Sequence, residues 1–234
     1  MSHGRTSRQR GGRRSSLWDV ESAQQQATVD LLSVLAYGEL QAFQRLSQDA
    51  LLSPDLAGRE AVTEMAIGEY GHYKILVEGL RARAKDPMQA MRPFMTAIDN
   101  FHKSTSPADY PEALVKIYVG DGIAADFYRE VGTYLEDDAR DLVNEVCDDL
   151  GHSAFVIPTV RKMISEDRTL ASRLSLWGRR LVGEALSQSQ RVAAEHEAMG
   201  ELLVGSTDLA ELGRMFARLT DAHTARMRDL GLNA

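Results

Sequence analysis

Six side chains of the kind that ligate metals stand where a helix should present apolar residues. Leu32, Leu35, Ala36, Ala42, Phe43 and Leu46 recur at three- and four-residue spacing, which is one face of a helix, and Glu39 sits in the middle of that face. Val62, Met65, Ala66, Tyr73, Leu76 and Leu80 form a second face, and Glu69 and His72 interrupt it three residues apart. A third face, Leu114, Ile117, Tyr118, Ala124, Ala125, Tyr128, Val131 and Leu135, is interrupted by Asp121. A fourth, Leu142, Val146, Ser153, Val156 and Val160, carries Asp149 and His152, again three apart. An unpaired buried ion costs several kcal/mol, and like charges repel, so four carboxylates inside one bundle require positive charge between them. Two divalent cations balance four carboxylates, and two histidine nitrogens complete their coordination without adding charge.

The helices that carry these residues must bring them to one level. The sequence predicts a first helix over about 20–51, a turn at SPDLAG, and a second helix to about 84. Asp86-Pro87 and Pro93 then break the pattern, which makes 86–103 a crossover with a short helix around 94–101. A third helix is expected from Tyr110-Pro111 to about 136, and a fourth to about 165, kinked or shortened at Pro158. Two more follow, over 167–203 and 208–230. In an antiparallel hairpin, residues equidistant from the turn share a height. The midpoint of Glu39 and Glu69 is 54, on the first turn; that of Asp121 and Asp149 is 135, close to the EDDARD turn. Asp126 is the alternative to Asp121: its midpoint with Asp149 fits slightly better, but its helical neighbours Arg129 and Glu130 are charged.

Composition narrows the remaining possibilities. Six prolines in 234 residues are too few to punctuate an all-β fold, and a single cysteine, Cys147, excludes an internal disulfide framework and a multi-thiolate zinc site. No run approaches the length of a membrane span, and the first sixteen residues, with five arginines, lack the apolar core of a secretory signal. These features point to a cytoplasmic protein with a disordered basic tail over 1–17. Without the tail, the other 218 residues hold 22 basic against 34 acidic groups, a net charge of −12, which argues against a nucleic-acid groove on the folded body. His102, His196 and His223 lie outside the constellation and read as surface or internally satisfied histidines; Tyr37, Tyr73, Tyr118 and Tyr128 read first as packing residues.

An acid on helix one, Glu-x-x-His on helix two, an acid on helix three and a second acid-x-x-His on helix four resemble the ferritin-like di-iron carboxylate proteins over about residues 30–165. Within that superfamily the segment from Asp121 to Asp126-Phe127 is most similar to the group related to the tRNA 2-methylthio-N6-isopentenyladenosine hydroxylase. The helix pattern and the resemblance together give an all-α, ferritin-like four-helix bundle of two antiparallel hairpins joined by a long crossover over 18–166; the C-terminal helical pair over 167–234, expected to pack on the bundle, is read from the pattern alone and lies outside the resemblance. It also implies a site of two iron ions, with manganese or zinc as substitutes, held by Glu39, Glu69, His72, Asp121, Asp149 and His152. The family usually has Glu where this chain has Asp121 and Asp149, which shortens each reach by about 1.5 Å. Either the helices approach more closely there, beside Gly120, Gly122 and Gly151, or the second metal is held loosely or not at all.

Three functions follow from that resemblance. One is an oxidoreductase that activates dioxygen or peroxide to oxidise a small molecule or a modified nucleoside, with a separate electron donor, as a homodimer away from membranes. Another is ferritin-like iron handling, or ferroxidase activity. The last is a metal-free helical interaction module with a degraded site.

Overall fold

The computed structural model describes residues 17–147, 152–204 and 209–234, and among them every regular element is helical. The basic tail and Asp149 lie outside the described residues, as does Gly151. Helix α1 (Leu17–Asp49) ends in a 3-10 turn, Ala50–Leu52, and returns antiparallel as α2 (Leu56–Arg81). Asp55 starts α2 by accepting a hydrogen bond from the Gly58 amide at 2.8 Å, which satisfies one otherwise unpaired donor. Any side chain at 58 would collide with Ser53 and the Tyr110 hydroxyl, so glycine lets this turn seat against the third helix.

The crossover forms α3 (Pro87–Met91), a 3-10 turn and α4 (Met95–Ser104). The third bundle helix then opens as α5 (Tyr110–Val115), capped by Asp109, and continues as α6 (Asp121–Gly132). The fourth consists of α7 (Asp137–Val146) and α8 (His152–Glu166). Three further helices, α9 (Arg168–Glu195), α10 (Glu197–Val204) and α11 (Leu209–Asp229), complete the described chain. No helix among the described residues is long and apolar enough to cross a membrane.

Three elements differ from the expectation. Between α5 and α6 the chain makes a π turn over Lys116–Gly120, where the periodicity predicts unbroken α-helix. The extra residue of a π turn resets the phase of the helix and aligns residues five apart. In the fourth helix the break falls after Cys147, whose carbonyl accepts a hydrogen bond from the Arg129 guanidinium, and α8 runs through Pro158 instead of ending there. Pro158 and Ala154, whose carbonyl it leaves without a helical donor, are both exposed, so water satisfies that carbonyl. The expected helix over 167–203 stops at Glu195, because His196 adopts extended backbone (φ −122°, ψ 99°) and its ring stacks on Phe94 at 4.3 Å.

Two hydrophobic clusters fill the bundle, one above the other. The first gathers Leu31, Leu32 and Leu35 with Leu76 and Leu80, Val131 and Val143. The second gathers Leu46 with Val62, Met65, Leu114, Val156, Val160 and Leu174. Along each of the four bundle helices the chain passes from one cluster to the other, and the acids and histidines sit at the crossing. That is the common level which the turn midpoints predict.

The C-terminal helices hold the third bundle helix. Arg173 of α9 reaches Glu112 and Asp109 at 2.7 and 2.6 Å, Trp177 donates to the Glu112 carbonyl at 2.9 Å, and Arg218 of α11 forks onto Glu130 with both bonds at 2.7 Å. Residues 112–117 are consequently buried on every side, like a helix in the middle of a larger protein rather than at the edge of a four-helix bundle.

Candidate metal centre

The ligand-type residues come from all four bundle helices, and the side chains meet. On α2, one helical turn places Glu69 and His72 on the same face, opposite Glu39 of α1. His72 Nδ1 lies 3.6 Å from Glu39 Oε2 and 3.7 Å from Glu69 Oε2. The other oxygen of Glu69, Oε1, faces His152 Nε2 at 3.8 Å, and His152 Nδ1 lies 3.7 Å from Asp121 Oδ2. Five of the six expected residues therefore form two triads, Glu39–Glu69–His72 and Glu69–Asp121–His152, with Glu69 common to both. Asp149 falls outside the described residues. Asp126, the alternative to Asp121, points elsewhere and pairs with Arg226 and, at 3.8 Å, with Arg129.

These separations are too long for hydrogen bonds, yet lie within the ~4.2 Å that two donors each about 2.1 Å from one ion can span. Glu39 Oε2, His72 Nδ1 and Asp121 Oδ2 are buried and have no hydrogen-bond partner. A buried polar atom without a partner costs about 1–3 kcal/mol, and more when charged, so three of them converging on one space signal a group that the protein is built to receive. The donor set, carboxylate and imidazole, suits iron, manganese or zinc.

Protonation follows from the same crowding. Burial pushes the Glu39 carboxyl up to about 7, with the Asp121 charge adding to it. Glu69 is raised by burial first and by the neighbouring Glu39 second, while Asp121 is raised well above the usual carboxylate range by burial and then by Glu69. Without a cation the layer must hold protons, and a bound cation takes their place.

The layer opens into a cavity of about 490 Å³, within the usual range for small-molecule sites. Its walls are mostly apolar, with Val34, Ile98, Phe101, Ile117, Phe127 and Val192 among them, and α9, α10 and α11 supply one side. The Asp121 side chain is 41% exposed to this space although its Oδ2 is buried. Gly122 is needed here, because a Cβ would collide with the Arg226 guanidinium that crosses above it.

Several residues of the cavity carry no signal in the sequence. Tyr128 stands over Gly38, and its hydroxyl is held protonated by burial first and the Glu39 charge second. Lys116 is buried because it lies in the 112–117 stretch that the other helices cover on every side, one turn after buried Glu112 and Ala113. His102 in the cavity wall and His223 outside it, both expected to be on the surface or satisfied, instead have buried nitrogens without partners: Nδ1 of His102 and both nitrogens of His223. Helix packing by α4 and α11 covers them, which their own local sequence does not reveal.

Residues 22–206 match the family model Ferritin_fold-like, described as a ferritin-like domain of actinomycetes. The match runs beyond the four bundle helices through α9 and α10. No curated protein matches the chain.

Proposed function

This chain belongs to the ferritin-like domain family of actinomycetes, and on that premise we propose that it is a di-iron oxidoreductase acting on a small organic substrate in the cavity beside the acid–histidine layer. Glu39, Glu69, His72, Asp121 and His152, joined by Asp149, would hold the metals. Bound iron would supply redox chemistry toward dioxygen or peroxide. The observation that carries this reading is the convergence of unpartnered, buried Glu39 Oε2, His72 Nδ1 and Asp121 Oδ2 on a space that borders the cavity.

The protein's own residues have defined tasks in this scheme. Glu69 offers one oxygen to each triad and fixes their spacing. Glu39 and Asp121 give up their protons when cations arrive, which makes occupancy tighter as pH rises. The protonated hydroxyl of Tyr128 stands ready to donate a hydrogen bond or an electron beside Glu39. The apolar walls exclude bulk water from the reacting space.

Hydroxylation of a prenylated nucleoside belongs to this class of reaction, but the net charge of −12 outside the tail favours a free small molecule over a tRNA. An apolar cavity joined to the layer also favours organic oxidation over iron handling alone, for which such walls have no use. The test is oxygen consumption by iron-loaded protein supplied with an electron donor. Wild type should consume dioxygen steadily without building a mineral core, and Glu69→Ala should consume none above free iron. Equal rates in both would overturn the reading, and a multi-subunit cage that accumulates iron would replace it with storage.

A further inference from the structure

The cavity has an acidic end at the carboxylate layer and a basic corner at Lys116, and the basic corner has no partner of its own. Lys116 is buried, with 7% exposure. Its ammonium donates to the Thr105 carbonyl at 2.8 Å and lies 5.7 Å from the Phe101 ring centre, and among the described residues it makes no ion pair. Beside it the Nδ1 of His102 is buried and unpartnered, and behind both the Nε of Arg45 is in the same condition. Lys116 and His102 both line the cavity.

The acids within coulombic range are already engaged. Asp121 belongs to the metal layer, and Asp49 answers Arg45 as well as Lys116. Lys116 and Arg45 thus share one acid, Asp49, which leaves about one buried positive charge at this corner once cations balance the carboxylates of the layer, an arrangement that costs several kcal/mol unless an anion joins it. Burial lowers the lysine only to about 8, so it is cationic at neutral pH.

We propose that Lys116 and His102 form a head-group site for a monocarboxylate whose apolar chain lies along the cavity toward the metal layer. The ammonium has donors to spare beyond Thr105, and a neutral His102 adds one more at Nδ1, which suits the two oxygens of a carboxylate. One uncompensated positive charge matches a monoanion better than a dianionic phosphate. Ile98, Phe101 and Ile117 bound the corner and accept the first methylenes. That the bound acid is the molecule oxidised, and the charge balance at the corner, both rest on the cation-filled layer of the function proposed above.

The test compares octanoate with octan-1-ol by calorimetry on the full-length protein loaded with zinc, which holds the layer without turnover. Octanoate should bind about tenfold tighter or better, the usual scale of a charge-assisted hydrogen bond. Lys116→Gln keeps a donor for Thr105 and removes the charge; it should abolish that preference, leave octan-1-ol binding unchanged and leave zinc content unchanged. If this variant does not fold, His102→Phe decides: octanoate should weaken by about threefold or more while the alcohol does not. Equal binding of acid and alcohol to wild type, or an equal loss of both in either variant, overturns the proposal. Glu69→Ala separates the two readings. A preference retained there but lost in Lys116→Gln places the carboxylate at the corner; a preference lost in Glu69→Ala and kept in Lys116→Gln makes it a metal ligand, which sinks the corner and leaves the metal centre standing.

Discussion

The two hairpins that share the carboxylate layer are built differently. In the first, α1 and α2 are continuous through Glu39, Glu69 and His72, and a short capped turn joins them. In the second, Asp121 follows a π turn, and α7 ends at Val146 with Cys147 off the helical backbone. The first hairpin uses the long reach of glutamate from regular helices, whereas the second presents the shorter Asp121 directly after a π turn. At Asp121 the π turn changes the phase of the helix just where the side chain is one methylene shorter.

This contrast makes the first hairpin the platform and the second the adjustable half, and each can be tested by breaking it. The largest effect belongs to Glu69, common to both triads: Glu69→Ala should reduce bound iron to background by elemental analysis after loading and desalting. Asp121→Ala removes a ligand from one triad only, so it should retain the metal of the Glu39–Glu69–His72 triad and bind about half as much as wild type. If Asp121→Ala loses as much as Glu69→Ala, the halves are not separable.

The next effect is on stability. In metal-free protein Glu39 holds its proton up to about 7 in the fold but only to the ordinary glutamate value of 4.5 when unfolded. The native state therefore binds more protons between those values, and its stability falls as pH rises from 4.5 to 7, by about 3 kcal/mol at most. Denaturant melts across that window should show the decline without metal and lose it, or reverse it, with zinc bound. A flat metal-free profile would mean that the layer does not hold protons.

Glycines separate the halves on a smaller scale. Gly122→Ala would drive a methyl group into Arg226 on the adjustable half and should cost about 1–3 kcal/mol. Gly71→Ala, between Glu69 and His72 on the platform, meets nothing within 4 Å and should stabilise the protein by about 0.5–1 kcal/mol with metal content unchanged. Thermal melts of the two variants would reveal opposite signs.

The same division explains how far the sequence could be read. Glu39, Glu69 and His72 interrupt apolar stripes of unbroken 3.6-residue period, so helices, faces and level all followed from spacing. Asp121 was separable from Asp126 only by the charge of its neighbours, and the structure places it against Glu69 and His152 while Asp126 pairs with Arg226. Lys116 was not legible, because a lone lysine ordinarily faces solvent and the helices that cover 112–117 come from far along the chain. His102 and Arg226 owe their surroundings to α4, α9 and α11, contacts of long sequence separation that no local pattern encodes. Two extra helices were expected where the described residues form three, because His196 breaks the first, and their part in enclosing the cavity depends on how they pack.

The central claim is that two metals share Glu69. A crystal of iron-loaded protein measured at the iron absorption edge tests it most directly. The account predicts two anomalous peaks, one about 2.1 Å from donors of Glu39, Glu69 and His72, the other equally near donors of Glu69, Asp121 and His152. No peak in this layer, or hydrogen-bonded carboxylates there in fully loaded protein, would contradict it.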